Sequence, residues 1–222
     1  MRRTRRARTL KGTLQPARLL KRYHRRTRRK VPWLQTLVLA LLLPLLSLIS
    51  RARISGREHI PDGGYIAAAN HLSNLDALFV ALAIRRRIRF MGKSELFGGR
   101  WGWLLNRLGG FPVQRGVWDA DAFETAATVL RRGRVMSMFP EGGIHREPVP
   151  AKSGVGHIAH LAGATVLPVY LDGTRSLYTP WRWPKVRVVV GAPFGVEHDP
   201  QPSRERSQQT AQRILDAVYD LA

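Results

Sequence analysis

Beyond residue 50 the chain alternates between short apolar bursts and longer stretches whose apolar positions recur at helical spacing. "YIAAA" (65–69) predicts a short buried strand, and "LDALFVALAI" (75–84) predicts a buried helix. "IRFMG" (88–92) predicts another strand, and "GRWGWLLNRLG" (99–109) a helix stopped by the Gly109-Gly110 pair. "FPV" (111–113) resumes an extended path. "DADAFETAATVLRRG" (119–133) has acids in its first turn, arginines in its last and Gly133 after it, the order a helix dipole favours. "RVMSMF" (134–139) reads as a strand, followed by a polar loop to Lys152 and a helix over 155–162. "TVLPVYL" (165–171) and "KVRVVVG" (185–191) are further strands. After Ser203 a closing helix carries Ala211, Ile214, Leu215, Val218 and Leu221 on one stripe. There is no internal repeat. Alternation of this kind predicts one α/β domain over roughly 51–222, with a central mixed β-sheet flanked by helices.

The front of the chain follows a different pattern. From Trp33 to Ile49, "WLQTLVLALLLPLLSLI" runs 17 residues without a charge, within a membrane-associating helical segment expected over 31–50. As a helix this run is roughly 25 Å long, short of a hydrocarbon core of about 30 Å, and Pro44 would kink it. A cleaved signal peptide fits poorly, because the basic region before it is long and no A-x-A-like site follows. A spanning helix and a helix dipping into one leaflet both remain open on length alone.

Charge sharpens this picture. The 222 residues carry 37 Lys+Arg against 15 Asp+Glu, a formal net charge of +22. Residues 1–30 hold 14 of the basic side chains and no acidic one. Such a block is expected to be a disordered tail that attracts polyanions, either nucleic acid or anionic lipid. No zinc-ligand spacing, RNA-binding sheet motif or helix-turn-helix signature accompanies it, so no nucleic-acid partner is expected. The adjoining apolar segment points to membrane lipid instead. The aromatic-proline stretch "YTPWRWP" (178–184) reads either as a packed loop or as an interfacial anchor. With no cysteine, disulfides and thiolate chemistry are excluded.

"NHLSNLD" (70–76) stands where the chain leaves its first predicted domain strand. On one helix, His71 and Asp76 would project about 140° apart. They meet only if His71 lies in the loop and Asp76 in the first helical turn. Ser73-Asn74-Leu75-Asp76 also fits the capping pattern [ST]-x-x-[DE], in which the acid reaches back to free backbone donors. Capping and chemistry therefore compete for one carboxylate. His157 and His160 form an H-x2-H pair on a small-residue helix, and with His71, Asp76 and His145 they make weak metal candidates.

"NHLSNLD" resembles the His-x4-Asp block of the glycerolipid acyltransferases, the 1-acylglycerol-3-phosphate acyltransferase family. "GGFPVQR" (109–115) is similar to that family's second block, "FPEGG" (139–143) to its third and "VLPVY" (166–170) to its fourth. "GKSEL" (92–96) between the first two also matches. The blocks stand in the family's order, and the resemblance covers roughly 57–190. One departure stands out: the family's third block commonly continues Thr-Arg, whereas this chain reads Gly143-Ile144-His145-Arg146.

The resemblance implies an enzyme that moves a fatty acyl group from a thioester, acyl-CoA or acyl-carrier protein, to the hydroxyl of a lysophospholipid such as 1-acylglycerol-3-phosphate. Another lysophospholipid or glycolipid acceptor, or a non-catalytic lipid-binding scaffold, are the alternatives. It implies His71 as general base and Asp76 as its partner. It also implies Arg115 and Lys93 on the acceptor phosphate, Glu141 and Gly142 shaping the acceptor site, and Pro168 shaping a strand beside the acyl site. No cofactor and no metal are implied. The sequence has no G-x-S-x-G elbow, which agrees with direct attack by the acceptor hydroxyl. The positive-inside tendency keeps the basic tail cytoplasmic. A shallow segment then leaves the catalytic part beside cytoplasmic thioesters, so a monotopic protein on the cytoplasmic face of the cell membrane is expected.

Overall fold

The structure, a computed structural model, describes residues 18–29, 33–145, 147–178 and 185–222. Its centre is a mixed eight-stranded sheet of order β1-β7-β6-β2-β5-β3-β4, with β8 pairing β6 as well. The strands are β1 (Arg53–Ser55), β2 (Tyr65–Ala69), β3 (Ile88–Lys93), β4 (Gly110–Val113), β5 (Val135–Met138), β6 (Thr165–Asp172), β7 (Arg187–Val190) and β8 (Phe194–Gly195). β6, β2, β5, β3 and β4 run parallel, while β7 and β8 pair β6 antiparallel. The helices are α1 (18–29), α2 (Trp33–Ser50), α3 (Asp76–Ile84), α4 (Ser94–Gly98), α5 (Gly102–Arg107), α6 (Ala120–Arg131), α7 (Gly154–Ala162) and α8 (Arg204–Tyr219).

β2 lies at the centre because it is small and apolar on both sides. Ile66 and Ala68 join a core with α6, α7 and α8, whereas Tyr65, Ala67 and Ala69 join a second core under α3. Period-two alternation thus feeds two layers of helix. Gly156 lets α7 and α8 close up: a Cβ there would stand 2.0 Å from the Ser207 carbonyl oxygen. Asp119 accepts from the Ala122 amide to start α6, and Ser203 accepts from the Arg206 amide to start α8.

Pro168 sits inside β6 without breaking it. β8 pairs residues 165–166 and β7 pairs 169–172, so the missing N–H of Pro168 falls between the two partners. Its carbonyl still accepts from the Gly191 amide at 2.9 Å.

α3 is apolar on nearly all sides, and such a helix must be covered on its outer side too. α2 does so, laying Leu39, Leu43 and Leu46 into the same core. Gln35 pins its start by donating to the Ile88 carbonyl at 2.9 Å, and the Ser50 carbonyl accepts from the Val186 amide at its end. The helix runs through Pro44. Its other side leaves Trp33, Leu37, Leu41, Leu42, Leu45, Leu48 and Ile49 exposed.

The expectation of a disordered tail over 1–30 is corrected at 18–29, where the chain is helical. Leu20, Tyr23, His24 and Thr27 are buried and stand at i, i+3, i+4 and i+7, one helix face. Leu20 and Tyr23 pack with Phe97 of α4, Thr27 accepts from Asn106, and His24 bonds Thr125 of α6. The Asn106 side chain also reaches the carbonyl of Gly110, so α1 runs beside the edge strand β4 and shields it. Residues 1–17, Arg146 and the 179–184 part of the aromatic-proline stretch lie outside the described residues.

Candidate active site

Because β2 to β6 run parallel, their C-terminal ends open on one edge of the sheet, where open α/β sheets place ligands. The expected blocks arrive at that edge separately. His71 follows β2, Lys93 ends β3, Arg115 follows β4, and Glu141 and Gly142 follow β5. Thr174 and Arg175, in a 3-10 turn (Thr174–Tyr178), follow β6.

Asn70 fixes where the strand ends and the loop begins. Its side-chain amide donates to the Leu171 carbonyl and accepts from the Leu171 amide, at 2.8 and 2.7 Å, extending the β2–β6 ladder with a side chain. His71 therefore turns off the sheet at a fixed place. Its Nδ1 lies 2.8 Å from Asp76 Oδ2. Asp76 is the first residue of α3 and is fully buried. A buried carboxylate needs partners on all its lone pairs. Oδ2 also accepts from the amides of Leu72 and Ser73, at 2.6 and 2.7 Å. Oδ1 accepts from the hydroxyls of Ser73 and Thr174, at 3.0 and 2.6 Å. The two sequence readings of Asp76 are thus not rivals: one carboxylate gathers the turn's backbone donors and holds the imidazole. Ser73 helps it as a turn residue, also accepting from the Leu75 amide at 3.1 Å.

Donation from Nδ1–H to a carboxylate selects one tautomer, leaving the lone pair on Nε2. Nε2 makes no hydrogen bond among the described residues, and the ring is partly exposed. The ring's plane is set by Phe139, stacked at 4.1 Å between centroids and 13° between planes. A histidine so placed can take a proton from an approaching hydroxyl and keep its charge stabilised by Asp76.

Glu141 is engaged through its carboxylate by donors of the protein itself. It is 3% exposed, with Oε2 accepting from the His71 backbone amide at 2.7 Å and Oε1 from the Tyr219 hydroxyl at 2.5 Å. Its carboxylate positions the base rather than lining an open site. Gly142 has φ +71°, and a Cβ there would lie 2.5 Å from Lys152 Cδ, so the Lys152 side chain crosses the bare glycine. Arg115 and Lys93 are exposed at the same edge. Arg115 Nη1 lies 3.8 Å from the place a Cβ of Gly143 would occupy. Arg175 donates to the Leu72 carbonyl at 2.9 Å and to the His145 carbonyl, tying the His71 loop to the Glu141 loop.

The other histidines serve elsewhere. His160 bridges the Glu197 carbonyl and the Thr210 hydroxyl, at 2.9 and 2.8 Å, stapling α7 to α8 and the loop before it. His157 packs on Trp118 and Phe123, and burial pushes its pKa down. No cluster of three potential metal ligands forms among the described residues. Sequence reading missed Phe139 as the stacking partner, and Lys152, Thr174, Arg175 and Tyr219. Thr174 and Arg175 come soon after the fourth block, past Leu171-Asp172-Gly173, a proximity that could have singled them out; Tyr219 is 78 residues from Glu141 and carries no local signal.

Comparison with known proteins gives a consistent result. Residues 51–172 match the protein family described as Acyltransferase. A 1-acyl-sn-glycerol-3-phosphate acyltransferase of Bacillus subtilis is 27% identical over 181 residues, covering 80% of this chain and 91% of that protein. One of Streptococcus pneumoniae is 30% identical over 178 residues, covering 78% and 67%. The crystal structure of the 1-acyl-sn-glycerophosphate (LPA) acyltransferase PlsC from Thermotoga maritima superposes with a TM-score of 0.63 at 25% identity, covering 87% of this chain and 79% of that one.

Proposed function

The chain belongs to the acyltransferase family, and from that premise we propose that it transfers a fatty acyl group from a thioester donor to the hydroxyl of 1-acylglycerol-3-phosphate, giving phosphatidate. The observation that carries the reading is the 2.8 Å bond between His71 Nδ1 and the buried Asp76 carboxylate, which leaves Nε2 as a base at the ligand-binding edge. The named relatives support the acceptor.

In the reaction, the acceptor hydroxyl gives its proton to His71 Nε2 as its oxygen attacks the thioester carbonyl. The C–S bond then breaks, and the imidazolium returns the proton to the leaving thiolate. Asp76 stabilises the imidazolium between the two transfers. A base so placed contributes ~10²–10⁴-fold. Arg115 and Lys93 take the acceptor phosphate, for which a planar guanidinium is well shaped. Glu141 acts through the His71 backbone, and Gly142 gives Lys152 room to approach.

The lysophospholipid resides in a bilayer, and lifting a long acyl chain into water costs on the order of 10 kcal/mol at ~0.8 kcal/mol per CH₂. The enzyme therefore works at the membrane, on its cytoplasmic face, where the thioester donors are. α2 supports a monotopic mode: its inward leucines are packed along the catalytic domain, while its outward ones are free for lipid. Basic residues at the front of the chain add ~1 kcal/mol each near anionic headgroups.

The test is a donor-by-acceptor matrix with the purified protein: acyl-CoA and acyl-carrier protein against 1-acylglycerol-3-phosphate, other lysophospholipids and glycolipids. The highest kcat/KM is expected for 1-acylglycerol-3-phosphate. A preference for another acceptor would move the substrate assignment, and no transfer in any combination would leave a lipid-binding scaffold.

A further inference from the structure

At the loop after β5 the chain has Gly143-Ile144 where the family pattern has Thr-Arg, and Ile144 is exposed. The bare glycine faces two nitrogens from different elements. A Cβ at 143 would lie 3.3 Å from His145 Nε2 and 3.8 Å from Arg115 Nη1. His145 Nε2 is buried yet has no hydrogen-bond partner among the described residues. The residue is held there by its backbone, since Arg175 donates to both the His145 and Leu72 carbonyls. Lys152 Nζ comes within 3.2 Å of the corresponding position on Gly142.

A buried nitrogen without a partner is costly to leave unmatched, which points to a ligand that completes it. Among the described residues, the Arg115 guanidinium near Gly143 and the Lys152 ammonium near Gly142 bring donors and positive charge to this loop. Such a nook suits a tetrahedral oxyanion that takes an imidazole N–H from one side and a guanidinium from the other. We infer that His145 Nε2 and Arg115 together bind the acceptor's phosphate. The inference rests on the phosphate-bearing acceptor proposed above.

Two measurements test it separately from that reading. The first follows the histidine ring signals of isotope-labelled protein in detergent during titration with inorganic phosphate, with His145→Gln used to assign the signal. The His145 signal is expected to move on titration, and Arg115→Ala to weaken the response. A His145 signal unmoved by phosphate would overturn the inference. The second is kinetic: His145→Ala is expected to raise KM for 1-acylglycerol-3-phosphate about 10–100-fold, with a smaller change in kcat and in KM for the donor. A wild-type KM in that variant would also overturn it. Phosphate that moves the His145 signal in a protein with no activity on 1-acylglycerol-3-phosphate would keep the anion site and discard the acceptor assignment.

Discussion

The hydroxyl of Tyr219, on the last turn of α8, donates to Glu141 Oε1 at 2.5 Å, and the other oxygen of that carboxylate holds the His71 amide at 2.7 Å. The end of the closing helix is thereby joined, through one buried acid, to the backbone of the base. Burial, and then the bond to Glu141, push the Tyr219 pKa up, so the phenol stays protonated and remains a donor. α8 lies beyond the 51–172 match to the family, yet it contributes to the site.

Tyr219→Phe removes this donor and leaves Glu141 Oε1 buried without it. Stability is expected to fall by about 1–3 kcal/mol in denaturant unfolding, with reduced transfer. An unchanged unfolding midpoint would show that the bond contributes nothing.

Asp76 receives five donors, so Asp76→Asn turns an amide NH₂ toward groups that themselves donate. It also removes the acceptor that fixes the His71 tautomer. Transfer is expected to fall ~10³–10⁴-fold, as when a triad aspartate is replaced by its amide. Thr174→Val deletes one of the five and is expected to cost roughly tenfold at most, since the other four still aim the carboxylate. Equal losses in the two variants would contradict this ordering.

Gly142→Ala puts a methyl group into the left-handed region at φ +71°, 2.5 Å from Lys152 Cδ. The backbone strain alone is about 1–2 kcal/mol. Lower stability and a displaced Lys152 are expected, measured by thermal unfolding and by the KM of the acceptor.

His24 on α1 is buried against α6, and burial lowers its pKa below the ordinary 6.5. The unfolded state therefore binds a proton that the folded state resists, and α1 docking is fully present above pH 6.5. It weakens as the pH falls from 6.5 toward the folded value. Amide exchange in α1 is expected to quicken at pH 5.5 relative to pH 7.5, once corrected for intrinsic rates, and His24→Gln should remove the difference. Identical protection at both pH values in the unsubstituted protein would contradict it.

How far the sequence carried can be read from these same elements. β2, α3 and the buried stripe of α8 were legible because each is a dense apolar pattern bounded by turn residues. The stripe Leu20, Tyr23, His24, Thr27 was equally periodic, but two of its members are polar and the flanking arginines read as a solvated block. The short strands β1 and β8 offer only three and two residues, too few for a period to emerge. At the site, His71 and Asp76 were legible because they stand five positions apart just after a strand end. Thr174, 98 positions from Asp76, becomes a neighbour only when β6 pairs β2, a relationship no local pattern encodes. The partners of Glu141 were illegible for the same reason: they come from β2's loop and from α8.

In the proposed mechanism His71 Nε2 removes the proton of the acceptor hydroxyl. The direct measurement is the single-turnover rate of acyl transfer by His71→Ala, set beside its circular dichroism and unfolding midpoint. We expect an intact fold and a rate lower by ~10²–10⁴-fold. A folded His71→Ala protein that transfers acyl groups at the unsubstituted rate would contradict it.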